Sequence, residues 1–248
     1  MTKDIPYKIQ RICPVLKNVI PYQKTFGDNS VVTLYARLNR LSDRQSVANE
    51  IYETGEITTT NFFHNPTEYM FIYNKCHFPN FSDMKFYDTP YRSIYTPNAG
   101  GASELSEAAT MQLIQNLLGV SNFVLEQEVK YYIDGKKVDF VFEYINENIG
   151  VSVTRAISYP FDKEFSYEQA YELLTKKMYG LIIARSSAID EHSFFKSVLH
   201  IWCMNTQTVD NIDRAFHNIA LADVDLTYNT ISVMCTICDN DFIYSNKK

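Results

Sequence analysis

The first hundred residues contain short β-branched and aromatic runs of the kind that form strands. Two such runs are VVTLYARL, around residues 32–38, and EYMFIYN, at residues 68–74. Between them, LSDRQSVANEIYE (41–53) has a helical spacing of apolar residues and Ser42 as its N-cap. Residues 1–100 are therefore predicted to form a mixed, strand-leaning region.

The stretch DTPYRSIYTPNAGG, from Asp88 to Gly101, interrupts this pattern. It holds two prolines and two glycines, which favour turns over regular elements. We therefore predict a connection here, and a boundary between a region of residues 1–100 and a region of residues 101–248.

The pattern after this connection is more regular and alternates between helical and strand periods. Ser166 and Gln169 form an S-x-x-Q capping box at the start of a helix, and Asp134-Gly135 favours a hairpin turn. LIIAR (181–185) fits either a strand or an extension of that helix. The predicted helix, three strands, helix, strand, helix and strand lie at residues 103–118, 125–132, 137–144, 149–156, 166–180, 198–204, 208–221 and 230–238.

This order of elements predicts an α/β (α+β mixed) fold. The first three strands can form a meander, because short turns connect them. The strand at residues 198–204 needs the helix before it as a crossover in order to pair in parallel. Residues 101–248 thus predict the core, and residues 1–100 a β-leaning extension of it.

Composition predicts a globular chain in a reducing compartment. The 248 residues are 46% hydrophobic, which is enough for one core with an additional layer. The five cysteines are odd in number and scattered, which favours an intracellular protein, cytoplasmic or nuclear. No apolar run has the length of a signal segment or reaches the ~18 residues of a membrane span, so no membrane association is expected.

Charge and motifs exclude several classes of function. The net charge of −6 argues against strong non-specific binding of nucleic acid, but not against an acidic metal site beside a local basic patch. No glycine-rich phosphate loop, G-x-S-x-G or H-E-x-x-H sequence occurs, so the common hydrolase classes gain no support. Cys235 and Cys238 lie in a strand pattern that points them to opposite faces, which argues against a zinc site.

One segment carries a more specific pattern. In VDFVFEYINENIGVSVTRA (138–156), an aspartate opens a short apolar strand, a loop follows, and a second apolar strand begins at Gly150. Together with acidic residues on the preceding helix, this layout resembles the PD-(D/E)XK nuclease superfamily over about residues 103–204. The resemblance implies a restriction endonuclease-like core and metal-dependent cleavage of phosphodiester bonds in DNA or RNA.

The resemblance also assigns positions to the site. Asp139 matches the strand aspartate that holds the metal, and Glu107, or Glu104 one turn earlier, matches the helix acid. In the family, the next strand carries a glutamate and then a lysine two residues later. Ser152 and Thr154 stand at those two positions here.

Other side chains are candidates to replace the two missing groups. The expected Mg²⁺ or Mn²⁺ ligands are then Asp139, Glu107 and Glu128, because hard cations prefer carboxylate oxygens. Arg155 or Lys177 is expected to supply the positive charge in place of the lysine. Lys177 is a candidate because active-site groups in this superfamily can migrate to the crossover helix.

Ordinary structural roles remain as alternatives for these residues. Acids in the first turn of a helix are stabilised by the helix dipole, which accounts for Glu107, and Lys177 suits a helix C-terminus. An alternative function is therefore a catalytically inactive protein of the same fold, an adaptor that binds nucleic acid or another protein. Self-association and an accidental resemblance are further alternatives.

Overall fold

The computed structural model describes residues 22–25, 27, 31–37, 71–96, 103–160, 163–223 and 231–245. Within them, helices flank a mixed sheet, so the predicted α/β (α+β mixed) class is confirmed. The helix predicted at residues 41–53 lies outside the described residues. Among the helices that are described, none combines the length and the apolar character that a membrane crossing requires.

The sheet has eight strands in the order β1-β2-β3-β8-β7-β6-β5-β4. Strands β4, β5 and β6 form the predicted antiparallel meander, whereas β6, β7, β8 and β3 pair in parallel. Both predicted regions contribute strands to this one sheet, since β3 pairs with β8. The strands are β1 (Tyr22–Thr25), β2 (Val31–Arg37), β3 (Phe71–His77), β4 (Phe123–Leu125), β5 (Phe140–Tyr144), β6 (Glu147–Ala156), β7 (Lys196–Cys203) and β8 (Ile231–Ile237).

Helices cover both faces of the sheet and create two hydrophobic cores. The buried side of α2 packs with Phe140, Val151 and Trp202 on one face. The helices α3 and α4 bury their apolar residues on the other face, around Val141 and Leu199. The helices are α1 (Asp88–Ser93), α2 (Glu104–Leu118), α3 (Tyr167–Ser187), α4 (Thr206–Ala222) and α5 (Asp241–Ser245), with 3₁₀ turns at Phe81–Asp83 and Asp190–His192.

Helix α1 lies where the sequence predicts a connection, so that prediction is wrong for Asp88–Ser93. Pro90 stands in the first turn of α1, where the missing N–H has no helical partner to lose. A proline in that place is compatible with a helix. The remaining proline and the two glycines of the stretch lie outside the described residues.

The strand predicted at residues 125–132 is also wrong, because only Phe123–Leu125 is extended. A turn follows instead, in which the N–H groups of Glu128 and Val129 both donate to the Leu125 carbonyl, at 2.8 and 3.1 Å. The Leu125 N–H donates to the Glu128 carboxylate at 2.9 Å, which closes the turn from the other side. These bonds satisfy the backbone locally, so the chain leaves the sheet at this point.

Helix α3 begins as predicted and ends later. Both halves of the Ser166–Gln169 capping box are formed. LIIAR extends the helix, which continues past Gly180 to Ser187, because Leu181 and Ala184 are buried against the sheet. Helix α2 ends at Leu118, and Gly119 follows at φ 70°, a conformation that glycine adopts without strain.

Gly150 on β6 allows the ring of Phe194 to pack directly on the strand. A Cβ at position 150 would come within 2.5 Å of the Phe194 ring. We expect Gly150→Ala to lower the free energy of unfolding by about 1–3 kcal/mol, the usual range for an overpacked core. Urea denaturation measures this change.

The control is Gly180→Ala in the middle of α3. There a new Cβ meets nothing closer than the Lys136 side chain, at 3.9 Å. Alanine is favoured over glycine inside a helix by about 0.5–1 kcal/mol, so this variant is expected to be as stable as the wild type or more so. Equal stability of the two variants would contradict the packing argument.

Candidate functional site

An open pocket lies beside α2, where the end of α1, the turn after β4 and the start of β5 come together. It encloses about 280 Å³ of space that is continuous with solvent. Three carboxylates from three different elements line it, one of them the predicted strand aspartate. The lining residues are Ser93, Thr96, Glu107, Met111, Leu125, Glu126, Gln127 and Asp139.

Asp139 stands at the point where β5 separates from β6. Its backbone N–H donates to the Val151 carbonyl at 2.9 Å, and its carboxylate accepts the Val153 N–H at 2.5 Å. The side chain thus replaces the carbonyl that a continued strand would offer to Val153. Burial raises the pKa of the Asp139 carboxyl, whereas Lys177 and the Val153 N–H lower it.

Glu107 reaches the same pocket from the first turn of α2. Burial and the nearby Asp139 carboxylate raise the pKa of Glu107 to about 7, and a hydrogen bond from Ser103 acts in the opposite direction. Ser103 precedes α2, and its hydroxyl donates to the Glu107 carboxylate, which fixes the side chain towards the pocket. The structure therefore places Glu107 and Asp139 in one pocket.

Glu126 is the third carboxylate of the pocket and is absent from the sequence-based candidates. It is half-buried, and its charge raises the pKa of both Glu107 and Asp139. The sequence feature that could have identified Glu126 is its alternation with Glu128 in LEQEVKYY. The turn that replaces the predicted strand brings Glu126 to the pocket.

Glu128 lies elsewhere and has other partners. Its carboxylate forms a two-point ion pair with the Arg92 guanidinium, at 3.0 and 3.3 Å, and also accepts the Leu125 N–H. The structure does not bring Glu128 into the pocket with Asp139. Instead, it joins α1 to the turn after β4, so it holds two walls of the pocket in place.

Lys177 approaches Asp139 from α3. Its ammonium donates to the Val153 carbonyl at 3.4 Å, and its charge lowers the pKa of Asp139. Val153 therefore offers its N–H to the aspartate and its carbonyl to the lysine. Ser152, the buried residue at the position of the family's glutamate, also has a side-chain hydrogen bond to Asp139.

Arg155 contacts the backbone of α5. Its guanidinium donates to the carbonyls of Ile243 and Tyr244 in α5, at 3.4 and 3.1 Å. Burial lowers the pKa of Arg155, while Glu107 and then Glu104 raise it. Arg155 thus interacts electrostatically with Glu107, whereas Lys177 acts on Asp139.

Metal binding by this pocket would use few protein ligands. Among the described residues, no three His, Cys, Asp or Glu side chains are grouped as a site that could hold a metal ion. Mg²⁺, however, is usually held by one or two carboxylates together with waters and substrate phosphates. Glu107 and Asp139 supply that minimum. Burial raises the pKa of both carboxyls, and neighbouring acids add to the rise, which a bound cation would oppose.

Glu107 is expected to make folding stability depend on pH in metal-free buffer. Folding raises the pKa of Glu107 from 4.5 to about 7. The contribution of Glu107 to stability is therefore complete below pH 4.5 and is lost as the pH rises through about 7. Glu107→Gln removes this loss. At pH 8 its melting temperature should exceed that of the wild type, by about 2–4 °C for each kcal/mol recovered.

Thermal unfolding at several pH values in the presence of a chelator tests this expectation. The variant should keep part of the pH dependence, because the pKa of Asp139 is raised as well. Glu172→Gln on the exposed side of α3 is the matched control and should follow the wild type. If the melting temperatures of Glu107→Gln and the wild type changed with pH in the same way, the raised pKa of Glu107 would be contradicted.

Comparison with known proteins adds one distant relative. No family model matches the chain, and no solved structure matches it. The AAC-rich mRNA clone AAC4 protein of Dictyostelium discoideum is 28% identical over 159 residues, which are 62% of this chain. The chain spans 23% of that protein's length, and the relative's name states no activity.

Proposed function

We propose that the protein is a divergent metal-dependent nuclease of the PD-(D/E)XK type, which hydrolyses phosphodiester bonds in DNA or RNA. The observation that carries the proposal is the meeting of Glu107 and Asp139 in one open pocket, with Lys177 acting on Asp139 from α3. A carboxylate pair beside a lysine is the set of groups that metal-assisted phosphodiester hydrolysis uses.

The order of elements supports the same proposal. Helix α2, the meander β4–β6, the crossover helix α3 and the parallel strand β7 follow one another as in the core of that superfamily. Asp139 immediately precedes the second strand of the meander, which matches the family's strand aspartate.

Each residue has a defined role in this proposal. Asp139 and Glu107 would hold Mg²⁺ or Mn²⁺, and Glu126 adds negative charge beside them. When bound, the cation supplies Lewis acidity and lowers the pKa of the attacking water. The Lys177 ammonium stabilises the charge that develops on the phosphate. It thereby takes the role of the family's strand lysine, whose position is occupied here by Thr154. Ser152 orients Asp139 by its hydrogen bond.

Lys177→Gln is expected to lower the rate of metal-dependent cleavage about 100-fold, the usual effect of removing one group that stabilises transition-state charge. The measurement uses labelled single- and double-stranded DNA and RNA, with Mn²⁺ or with chelator. Lys176→Gln is the matched control, because Lys176 is the exposed neighbour on the same helix. If both variants cleaved as fast as the wild type, Lys177 would have no part in the mechanism.

The second candidate function is a catalytically inactive adaptor of the same fold, for nucleic acid or for a protein partner. It is favoured by the finding that the described residues contain no group of three metal-ligating side chains. The adjacent residues Tyr132 and Ile133 are 68% and 65% exposed, and they offer an apolar contact surface. An adaptor is expected to show neither cleavage nor stabilisation by Mn²⁺.

The proposed activity fits an intracellular setting, the cytoplasm or the nucleus. The cysteines of the described part of the chain are free, and all of them are buried: Cys76, Cys203, Cys235 and Cys238. Free thiols are typical of reducing compartments, where nucleic acid is also the accessible substrate.

A further inference from the structure

Two exposed tyrosines lie at the rim of the pocket, Tyr91 in α1 and Tyr95 in the turn after it. Tyr91 and Tyr95 are 56% and 61% exposed, and their ring centroids lie 5.2 Å apart. Ser93 and Thr96, their neighbours in the chain, line the pocket itself. Because consecutive Cα atoms are about 3.8 Å apart, the backbone of Tyr95 lies directly beside that of Thr96.

This rim is held firmly by contacts on the other sides of α1. Pro90 and Ile94 are buried, and Arg92 forms the two-point ion pair with Glu128. Tyr87, just before the helix, donates its N–H to Gln112 and its hydroxyl to Asn116, both on α2. The exposure of the two tyrosines therefore belongs to a fixed surface and does not come from a frayed segment.

The charge of the protein limits how it can bind nucleic acid. With a net charge of −6 and three carboxylates in the pocket, it gains little from the phosphate contacts that dominate binding to duplexes. Stacking on aromatic side chains is a source of affinity that needs no basic surface, worth about 1–3 kcal/mol per base. It requires bases whose faces are free, as in single strands, loops and ends.

We propose that Tyr91 and Tyr95 form a stacking platform for unpaired bases, so that the substrate of the pocket is single-stranded DNA or RNA. This inference rests on the proposed function, because a strand stacked on α1 passes its backbone along the pocket that holds Glu107 and Asp139.

Binding is tested apart from cleavage, in the presence of a chelator. Fluorescence anisotropy compares a labelled oligothymidylate with a labelled duplex of the same length. Wild-type protein is expected to prefer the single strand, and Y91A/Y95A to bind it about tenfold more weakly. Y91F/Y95F retains both ring faces and should bind as the wild type does. Tyr179→Ala removes a tyrosine on the outer side of α3, where its hydroxyl donates to the Asp223 carboxylate, and should leave binding unchanged.

Two outcomes would overturn the inference: equal affinity of the wild type for both forms, or unchanged binding by Y91A/Y95A. Salt dependence provides a measurement on the unaltered protein, should the alanine variant melt early. Stacking predicts an affinity that changes little with salt, and a steep loss with added salt would count against it. Cleavage of duplex by the variants and the wild type alike would contradict this inference but not the proposed nuclease function. Selective binding of single strands without cleavage would support the stacking platform and contradict the nuclease function.

Discussion

Replacement of Asp139 by asparagine is expected to lower metal-dependent cleavage about a thousandfold or more, since metal ions contribute several kcal/mol of transition-state stabilisation. Asparagine keeps an oxygen that can accept the Val153 N–H, so the strand end should stay formed. Its neutral amide, however, is a poor ligand for a hard cation. Cleavage rates with Mn²⁺, and the rise in melting temperature that Mn²⁺ produces, measure the loss.

Glu128→Gln is the matched control for this prediction. Glu128 is an acid of the neighbouring turn, but its carboxylate is engaged with Arg92 and lies outside the pocket. Glutamine can still accept hydrogen bonds from the Leu125 N–H and from Arg92, so the pocket walls should stay joined and the variant should retain both cleavage and stabilisation by Mn²⁺. If Glu128→Gln were as damaging as Asp139→Asn, the metal would lie at the turn. If the wild type itself showed neither cleavage nor stabilisation by Mn²⁺, the adaptor would be favoured.

Trp202→Ala is expected to lower the free energy of unfolding by about 3–5 kcal/mol, the range for large aromatic side chains removed from a core. Trp202 on β7 is fully buried, and its indole N–H donates to the Ser106 carbonyl and the Thr110 hydroxyl of α2, both at 3.0 Å. Its loss thus opens a cavity and leaves acceptors on α2 without their donor. Denaturation by urea measures the change.

Trp202→Phe separates the two contributions, because it keeps an aromatic ring and removes the N–H. We expect it to cost about 1–3 kcal/mol, the penalty for buried polar groups that lose a partner. His200, two residues earlier, supplies a second link to α2 through Thr110, at 2.7 Å, and burial lowers its pKa to about 3. A loss of stability in Trp202→Ala no larger than that in Trp202→Phe would contradict the cavity argument.

Much of the fold follows from local signals in the sequence. The Ser166–Gln169 capping box and the glycine after α2 mark helix ends through backbone chemistry that needs no distant partner. The apolar runs in β5 and β6 were equally readable, because helices cover both faces of the sheet and strands buried on both faces are apolar throughout.

Local signals failed where tertiary contacts decide the outcome. LEQEVKYY has a strand's alternation, yet the contacts of Glu128 with Leu125 and Arg92 turn the chain after Leu125. That turn is also why Glu126 enters the pocket, which no strand-based argument could show. Likewise, the sequence left Arg155 and Lys177 as equal candidates, and only the packing of α3 and α5 against the sheet distinguishes them.

The hydrogen bond between Asp139 and Val153 has a consequence for how relatives of this chain are compared. The carboxylate that would hold a cation also completes the backbone pairing where β5 leaves β6, so the proposed activity and the architecture would place two separate requirements on one position. A lineage that lost catalysis would still retain this aspartate for its architecture, and its persistence alone is poor evidence of activity. Lys177, whose hydrogen bond to the Val153 carbonyl is long at 3.4 Å, has less structural reason to persist and is the more informative position.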